Sequence, residues 1–310
     1  PVVRDWNIAP TLSGIDHEGL ITQQGKYRPY RELGYESGYP IVEGYRDSVA
    51  VGWAMKLQDP ARLHNLDISA SYSPDSSLDS SERLHFSAEY RALNWHFRYW
   101  HNDADFYDLF GPTERARKGD AFSVGYDRSL IFDGPRKMNL DVSAAYYTGL
   151  DTFPDFQNVP TGFEKLASAR ADLTYSHVRQ SLGAVDHEKG WRWNATAYAD
   201  YAESELVPKM RVGLDFGFAL PLRHSSIWLY NAAGVAGGDR ENGLSNWFFG
   251  AFGNNYVDDG DVKRYRQFYS FPGFEINEIA GQDFFKSVLE WNLPPVTFRE
   301  VGTPAFYLTW

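Results

Sequence analysis

The stretch MRVGLDFGF, residues 210–218, alternates strictly between large apolar side chains and polar or small ones. Its even-numbered residues are Met, Val, Leu, Phe and Phe, and its odd-numbered residues are Arg, Gly, Asp and Gly. Because successive side chains of a β-strand point to opposite faces, this pattern predicts a strand with one apolar face and one polar face.

The same alternation recurs along the chain. It is clear in 191–201 and 138–146 and weaker in 166–177. Each segment is roughly 10 residues long, which is the length that a tilted strand needs to cross a bilayer. The pattern predicts an all-β protein with twelve strands, and a further strand near 20–32 or 244–253. The other strand candidates are 48–58, 63–73, 82–92, 93–102, 120–131, 226–235, 284–293 and 304–310.

Composition narrows the function classes. The 310-residue chain has a net charge of −11, which argues against nucleic acid as a partner because phosphates require a basic surface. It contains no Cys, which excludes disulfides and thiolate metal sites. No apolar run is long enough for a membrane-spanning helix. Residues 1–6 do not resemble a signal peptide, so we expect a mature or partial chain.

The predicted connections differ in length. Those near Asn94, Pro135 and Pro221 are tight, whereas 103–119, 148–165, 178–190 and 236–283 are long and polar. Short turns at one rim and long loops at the other are typical of a transmembrane antiparallel β-barrel of the outer membrane. We therefore interpret 1–47 as a lead-in or periplasmic segment and 48–310 as the barrel. A soluble β-sandwich or propeller is the alternative.

The C-terminal third carries a recognisable motif. Phe271-Pro272-Gly273-Phe274 is followed by Gly281 and by the strand 283–295, which contains Leu-Glu-x-x-x-Pro. This order resembles the surface-antigen superfamily of outer-membrane assembly barrels that includes BamA and TamA. The resemblance implies about 16 strands, some of them beyond Trp310, and a long loop folded into the lumen after the eleventh strand. The alternative is a barrel of twelve strands that ends at Trp310.

The chain departs from the family motif at Pro272, where related loops carry an arginine. The acidic partner of that arginine would fall at Thr309. Losing both charges leaves neither uncompensated, so we predict a loop held by packing of Phe271 and Phe274 on the lumen wall. The remaining candidate lumen partners are Arg264, Arg266, Glu290 and Thr309.

The resemblance implies a non-enzymatic barrel, integral to the bacterial outer membrane, that aids insertion or export of other outer-membrane proteins. It implies no cofactor and no metal. Its implied partners are outer-membrane lipids and lipopolysaccharide, client proteins, and periplasmic or lipoprotein accessory subunits. The barrel could instead anchor an N-terminal periplasmic domain that this chain lacks. Two further hypotheses stay open: a soluble all-β carbohydrate-active enzyme or lectin, and a passive outer-membrane pore.

No hydrolase elbow, zinc-protease helix or phosphate-binding glycine loop occurs in the chain. The repeated tripeptide Asp-His-Glu, at 16–18 and 186–188, is interpreted as two solvated turns. The acidic stretches 102–108 and 258–261 do not complete a calcium loop. The sequence therefore offers no catalytic constellation.

Overall fold

The computed structural model describes residues 25–110, 114–156, 159–253 and 263–297, and the backbone of 307–308. Within these residues the regular structure consists of β-strands and short 3-10 turns. The 3-10 turns are Pro29–Arg31, Ser80–Glu82, Phe106–Leu109, Gly243–Ser245 and Arg264–Arg266. The strands are β1 Gly34–Tyr45, β2 Ser48–Gln58, β3 His64–Tyr72, β4 Leu84–Ala92, β5 Trp95–Asp103, β6 Arg117–Asp133, β7 Arg136–Thr148, β8 Lys165–Arg179, β9 Lys189–Ala202, β10 Glu205–Ala219, β11 Ser226–Ala236, β12 Trp247–Phe249, β13 Ile279–Gly281, β14 Phe284–Asn292, β15 Val296–Thr297 and β16 Tyr307–Leu308.

Twelve of these strands form one antiparallel sheet, in the order β1 to β11 followed by β14. Each strand pairs with its neighbour in sequence, so the sheet is a continuous meander up to β11. β14 then pairs with β11 after a long excursion of the chain. The predicted all-β class is confirmed. The main sheet has twelve strands, but it includes Gly34–Tyr45 in place of the predicted strand 304–310.

The sheet begins earlier than the sequence indicated. Gly34–Tyr45 is β1, although it lies within the segment 1–47 that we expected to be a lead-in. Its three glycines and Pro40 obscured the alternation of side chains. Proline is compatible with an edge strand, because the free side of such a strand needs no N–H donor. The other end of this sheet is β14.

The predicted strands at 304–310 and 244–253 do not join the main sheet in their described parts. In the described part of 304–310, Tyr307–Leu308 pairs with Val296–Thr297 outside the main sheet. In 244–253, Trp247–Phe249 forms β12, which pairs with β13 and also lies outside the main sheet. Among the described residues no ladder joins β1 to β14.

The two faces of the sheet differ in chemistry. The register places Val212 of β10 beside Ala195 and Ala233, and places the adjacent Arg211 beside Thr196. One face, here called the apolar face, exposes large side chains along the whole sheet, among them Trp53, Tyr72, Trp95, Phe122, Val142, Tyr146, Val212, Leu214, Phe285, Leu289 and Trp291. The opposite polar face carries Asp67, Arg98, Arg170, Asp172, Arg192, Asn194, Arg211, Asp215, Lys286 and Glu290.

The connections also separate by length. One rim, here called the short rim, carries 59–63, 93–94, 134–135, 180–188 and 220–225. The long rim carries 46–47, 73–83, 104–116, 149–164, 203–204 and 237–283. The predicted asymmetry is present only in part. The connection 180–188, predicted as a long loop over 178–190, lies at the short rim, and the long rim includes the two-residue turns 46–47 and 203–204. The two-residue turn at 203–204, with positive φ at both residues, was not recognised in the sequence.

A small apolar core lies at the long rim. Leu150, Phe153 and Phe163 from the connection after β7 pack with Trp100 of β5 and Leu244. Phe153 and Phe163 meet edge to face with ring centroids 5.6 Å apart. The loops at this rim thus fold over the sheet and supply their own hydrophobic cluster.

Candidate functional site

The described parts of the segment 237–283, which are 237–253 and 263–283, are here called the crossing loop. Residues 263–283 run along the polar face from the short rim to the long rim. The loop leaves β11 at the long rim and returns there to begin β14 at Phe284. Between these points Lys263 reaches Asp186, which lies in the short-rim connection 180–188, with Nζ 3.1 Å from Oδ2. The same ammonium donates to Oδ1 of Asn292 at the short-rim end of β14, at 2.9 Å.

Arg266 connects the loop both to β14 and to the short-rim connection 180–188. Its Nε donates to Oε2 of Glu290 at 2.9 Å, and its Nη2 donates to Glu290 and to Asp186. Glu290 is 8% exposed, and the hydroxyl of Tyr265 donates to it at 2.9 Å. A bidentate guanidinium–carboxylate pair fixes orientation as well as distance. These residues form an ion-paired clamp between loop, strand and short rim.

The charges of the clamp stabilise one another. Burial alone would raise the pKa of the Asp186 carboxyl, but the hydrogen bond and charge of Arg266 outweigh it and lower the pKa to about 2. Burial and the hydrogen bond to Glu290 raise the pKa of the Tyr265 hydroxyl to about 12. Tyr265 is therefore a neutral donor, and Asp186 is ionised, throughout the physiological range.

Aromatic rings form a second set of contacts between the loop and the sheet. Phe268 stacks on Phe284 with centroids 5.8 Å apart, and Trp247 meets Phe284 edge to face at 5.5 Å. The Arg211 guanidinium lies 4.3 Å from the Phe268 ring centroid. Arg266 lies 5.2 Å from the ring centroid of Tyr230. Cations over aromatic faces are favourable, and more so when water is excluded.

Lys286 anchors the backbone of the loop. Its Nζ donates to the carbonyl oxygens of Gln267 at 2.6 Å and Ser270 at 2.8 Å, and to Oγ of Ser270 at 3.1 Å. A lysine ammonium has three donors and no acceptor, so a set of carbonyl and hydroxyl oxygens is its natural partner. The strand therefore holds the loop through Lys286 as well as through Glu290.

The predicted aromatic anchors are not the residues that hold the loop. Phe271 and Phe274 are 46% and 42% exposed and meet each other at 5.0 Å, on either side of the exposed Pro272–Gly273 turn. The expectation that they pack on a wall in place of an ion pair is wrong. The charge that holds the loop comes instead from Arg266, six residues before Pro272.

Two of the predicted partners, Arg266 and Glu290, meet. Arg264 begins the 3-10 turn that ends at Arg266. Gly281 ends β13, opposite Trp247. Thr309 lies outside the described residues.

Sequence reasoning missed Asp186, Lys263, Lys286 and Phe268. The tripeptide at 186–188 is not a solvated turn: Asp186 joins the clamp and the His187 carbonyl accepts from Nε1 of Trp228 at 2.8 Å. In the sequence this tripeptide is notable only because it occurs twice. The first copy, 16–18, and the acidic stretch 258–261 lie outside the described residues.

In the stretch 102–108, Asp103 pairs with Arg98 at 2.8 Å, and Asp108 accepts from the backbone N–H groups of Arg115 and Ala116. Among the described residues no three His, Cys, Asp or Glu side chains are grouped to hold a metal ion. In the same part of the chain, no helix has the length and apolar character to cross a membrane.

Comparison of the chain with protein-family models, with curated proteins and with solved structures finds no match.

Proposed function

We propose that this chain is an integral β-barrel protein of the bacterial outer membrane that assists insertion or export of other outer-membrane proteins without catalysing a reaction. The observation that carries the proposal is a twelve-stranded sheet with an exposed apolar face and a polar face crossed by an ion-paired loop.

The exposed apolar face favours a lipid environment over water. On β14, Phe285 and Leu289 are 74% and 73% exposed, and Trp291 is 58% exposed. Soluble sheets pack such a face against a second layer, and monomers rarely expose large continuous apolar patches. Acyl chains would cover this face, while water and the crossing loop would occupy the polar side.

The crossing loop and the edge strand favour an assembly role over a passive pore. The loop occupies the polar side from rim to rim, where a pore would leave an open channel. β1 is an irregular edge, with Pro40 and a register shift between Tyr35 and Ser37. Unpaired backbone groups are costly in lipid, so such an edge must be paired there. A weak seam at β1 would open to an incoming client strand at little cost.

The partners follow from this role. Outer-membrane lipid and lipopolysaccharide would surround the apolar face, client strands would pair at the seam, and periplasmic or lipoprotein subunits would deliver the clients. If the barrel instead anchors an N-terminal periplasmic domain, the seam would be permanently closed.

Depletion of the full-length protein tests the assembly role. We expect the levels of other β-barrels in the outer membrane to fall before growth slows, with lipoprotein levels unchanged. Normal levels of other barrels after depletion would contradict assembly and favour the anchor.

Gel migration and conductance separate the remaining functions. A membrane barrel should migrate at a different apparent mass before and after boiling, whereas a soluble lectin or enzyme should not. Steady, large channels in planar bilayers would favour the passive pore.

A further inference from the structure

A second feature of the polar face is a cavity of about 310 Å³ beneath the crossing loop. Its wall is formed by β7 to β11 and β14, and its roof by the loop near Phe268. The charges around it are uneven: five basic side chains face one carboxylate. They are Lys137, Arg192, Arg211, Arg266 and Lys286, against Asp215.

This local excess of positive charge opposes the balance of the whole chain, which has a net charge of −11. Two of the basic groups are neutralised nearby, since Arg192 pairs with Asp215 at 2.6 Å and Arg266 with Glu290. Lys137 and Lys286 have no carboxylate within 4.0 Å among the described residues. Closely spaced like charges repel unless an anion or another counter-charge lies between them.

Arg211 adds an independent observation. It is 9% exposed, and its terminal nitrogens donate to Oδ1 of Asn194 at 2.8 Å and Oγ1 of Thr196 at 2.7 Å. The closest carboxylate that pairs with it is Asp172, at 3.9 Å. Its buried Nε has no hydrogen-bond partner in the described part of the chain. A buried donor left unsatisfied is costly, so this group is short of an acceptor.

Neutral hydrogen-bonding side chains complete the wall. A hydroxyl or amide group is contributed by Asn139, Thr174, Ser176, Asn194, Asn231 and Gln267. Tetrahedral oxyanions have several acceptor oxygens and are held by arginine forks together with such donors. The volume suits one small group of this kind rather than an extended polymer.

We propose that this cavity binds a phosphate group, either as the free ion or carried by a larger molecule. The anion would lie between the sheet and the crossing loop and would be held by Arg211 and Lys137. Lys286 would contribute its positive charge while its N–H groups stay bonded to the loop. Because it would contact both elements, it would stabilise the docked loop as its concentration rises. The proposal depends on the docked loop and not on the assembly function.

Calorimetric titration of the full chain in detergent, with inorganic phosphate at constant ionic strength, tests the site. We expect saturable binding at one site per chain. Arg211→Met should weaken the affinity roughly tenfold or more, because it removes a charge-assisted donor set. Lys137→Gln, at the exposed edge of the cavity, should weaken binding to a smaller extent without endangering the fold.

Arg91→Met is the matched control. Arg91 lies on the polar face of β4, outside the cavity, and pairs with Glu89. Its replacement should leave phosphate affinity unchanged. A parallel titration with glycerol phosphate identifies the source of the group: tighter binding than phosphate indicates a carried phosphate, and weaker binding the free ion.

Absence of saturable binding to the wild-type chain would overturn the proposal. So would an equal loss of affinity in Arg91→Met and Lys137→Gln, which would indicate diffuse attraction to the basic face. If Arg211→Met does not fold, the phosphate affinities of Lys137→Gln and Arg91→Met are compared instead. A loss in Lys137→Gln alone would support the site.

Discussion

At Arg266 one guanidinium compensates two carboxylates that belong to different elements. Glu290 comes from β14 and Asp186 from the short-rim connection, so the loop is tied to two places that the meander keeps apart. An arginine can serve both because its planar fork presents several donors in fixed directions. A lysine in its place would keep the charge and lose the geometry.

We expect Arg266→Met to release the crossing loop. Removing Arg266 leaves the Asp186 and Glu290 carboxylates with Lys263, at 3.1 and 3.5 Å, as a cationic partner. The loss of docking free energy should therefore stay below the about 3–5 kcal/mol of a fully broken buried pair. Hydrogen-exchange mass spectrometry of the peptide around Phe268 should show faster exchange.

The double variant Arg266→Met/Glu290→Gln should recover part of this loss, because it leaves fewer unpaired charges. The control is Arg136→Met, which breaks an exposed pair with Asp133 and should leave loop exchange unchanged. Equal exchange in wild type and Arg266→Met would show that the clamp does not hold the loop.

The Asp186 carboxyl predicts an acid dependence of the clamp. Its pKa is about 2 when folded and about 3.9 in an unfolded chain, so its stabilisation is fully present above about pH 4. The stabilisation is lost as the pH falls through 2, and amounts to on the order of 2 kcal/mol. Urea midpoints of wild type and Asp186→Asn should therefore differ at pH 6 and converge near pH 2. A constant difference would contradict this assignment.

The sequence allowed two charged residues of the clamp to be predicted, but not the third. Arg266 and Glu290 could be selected because they flank the motif within one stretch of chain. Asp186 could not, because its contact exists only once the loop has crossed the sheet. Phe271 and Phe274 were selected on composition alone, which gives no information about which of several neighbouring aromatic rings faces the wall.

At the scale of elements, period-two alternation located the strands between β2 and β11 and the strand β14. The signal is physical: each strand lies between two different environments, so its even and odd positions have different compositions. β1 was not predicted, because its glycines and Pro40 do not indicate which face of the strand is apolar. The path of the crossing loop could not be derived, because it depends on long-range side-chain pairs and not on a local period.

The apolar face gives the element-scale prediction. Val142 is 41% exposed in the middle of β7. In lipid, Val142→Arg should cost about 2–4 kcal/mol, since a charge at the membrane midplane is poorly solvated. In water the same exposed substitution should change stability by less than about 0.5 kcal/mol. Equilibrium unfolding from lipid vesicles measures the difference.

Asp141→Arg is the matched control for that experiment. It places the same side chain on the polar face of the same strand, between Asp127 and Asp172, and we expect little change. If both variants unfold like the wild type, the apolar face does not contact lipid.

At the scale of the whole molecule, the two-faced sheet and the crossing loop require each other. The polar face carries charges such as Arg211 and Glu290 that need partners, and the loop supplies them. In the proposed membrane barrel, acyl chains would cover the apolar face. We therefore propose that opposite faces of one strand contact lipid and a polar interior.

Spin-label accessibility along residues 210–218 in lipid vesicles measures the environment of each face, and the absence of native Cys makes single-cysteine labelling straightforward. Labels at Val212 and Leu214 should collide freely with dissolved oxygen and be shielded from a water-soluble nickel chelate. Labels at Gly213 and Asp215 should show the opposite preference, which gives a period of two. Uniform access of the nickel chelate at all of these positions would contradict the membrane barrel.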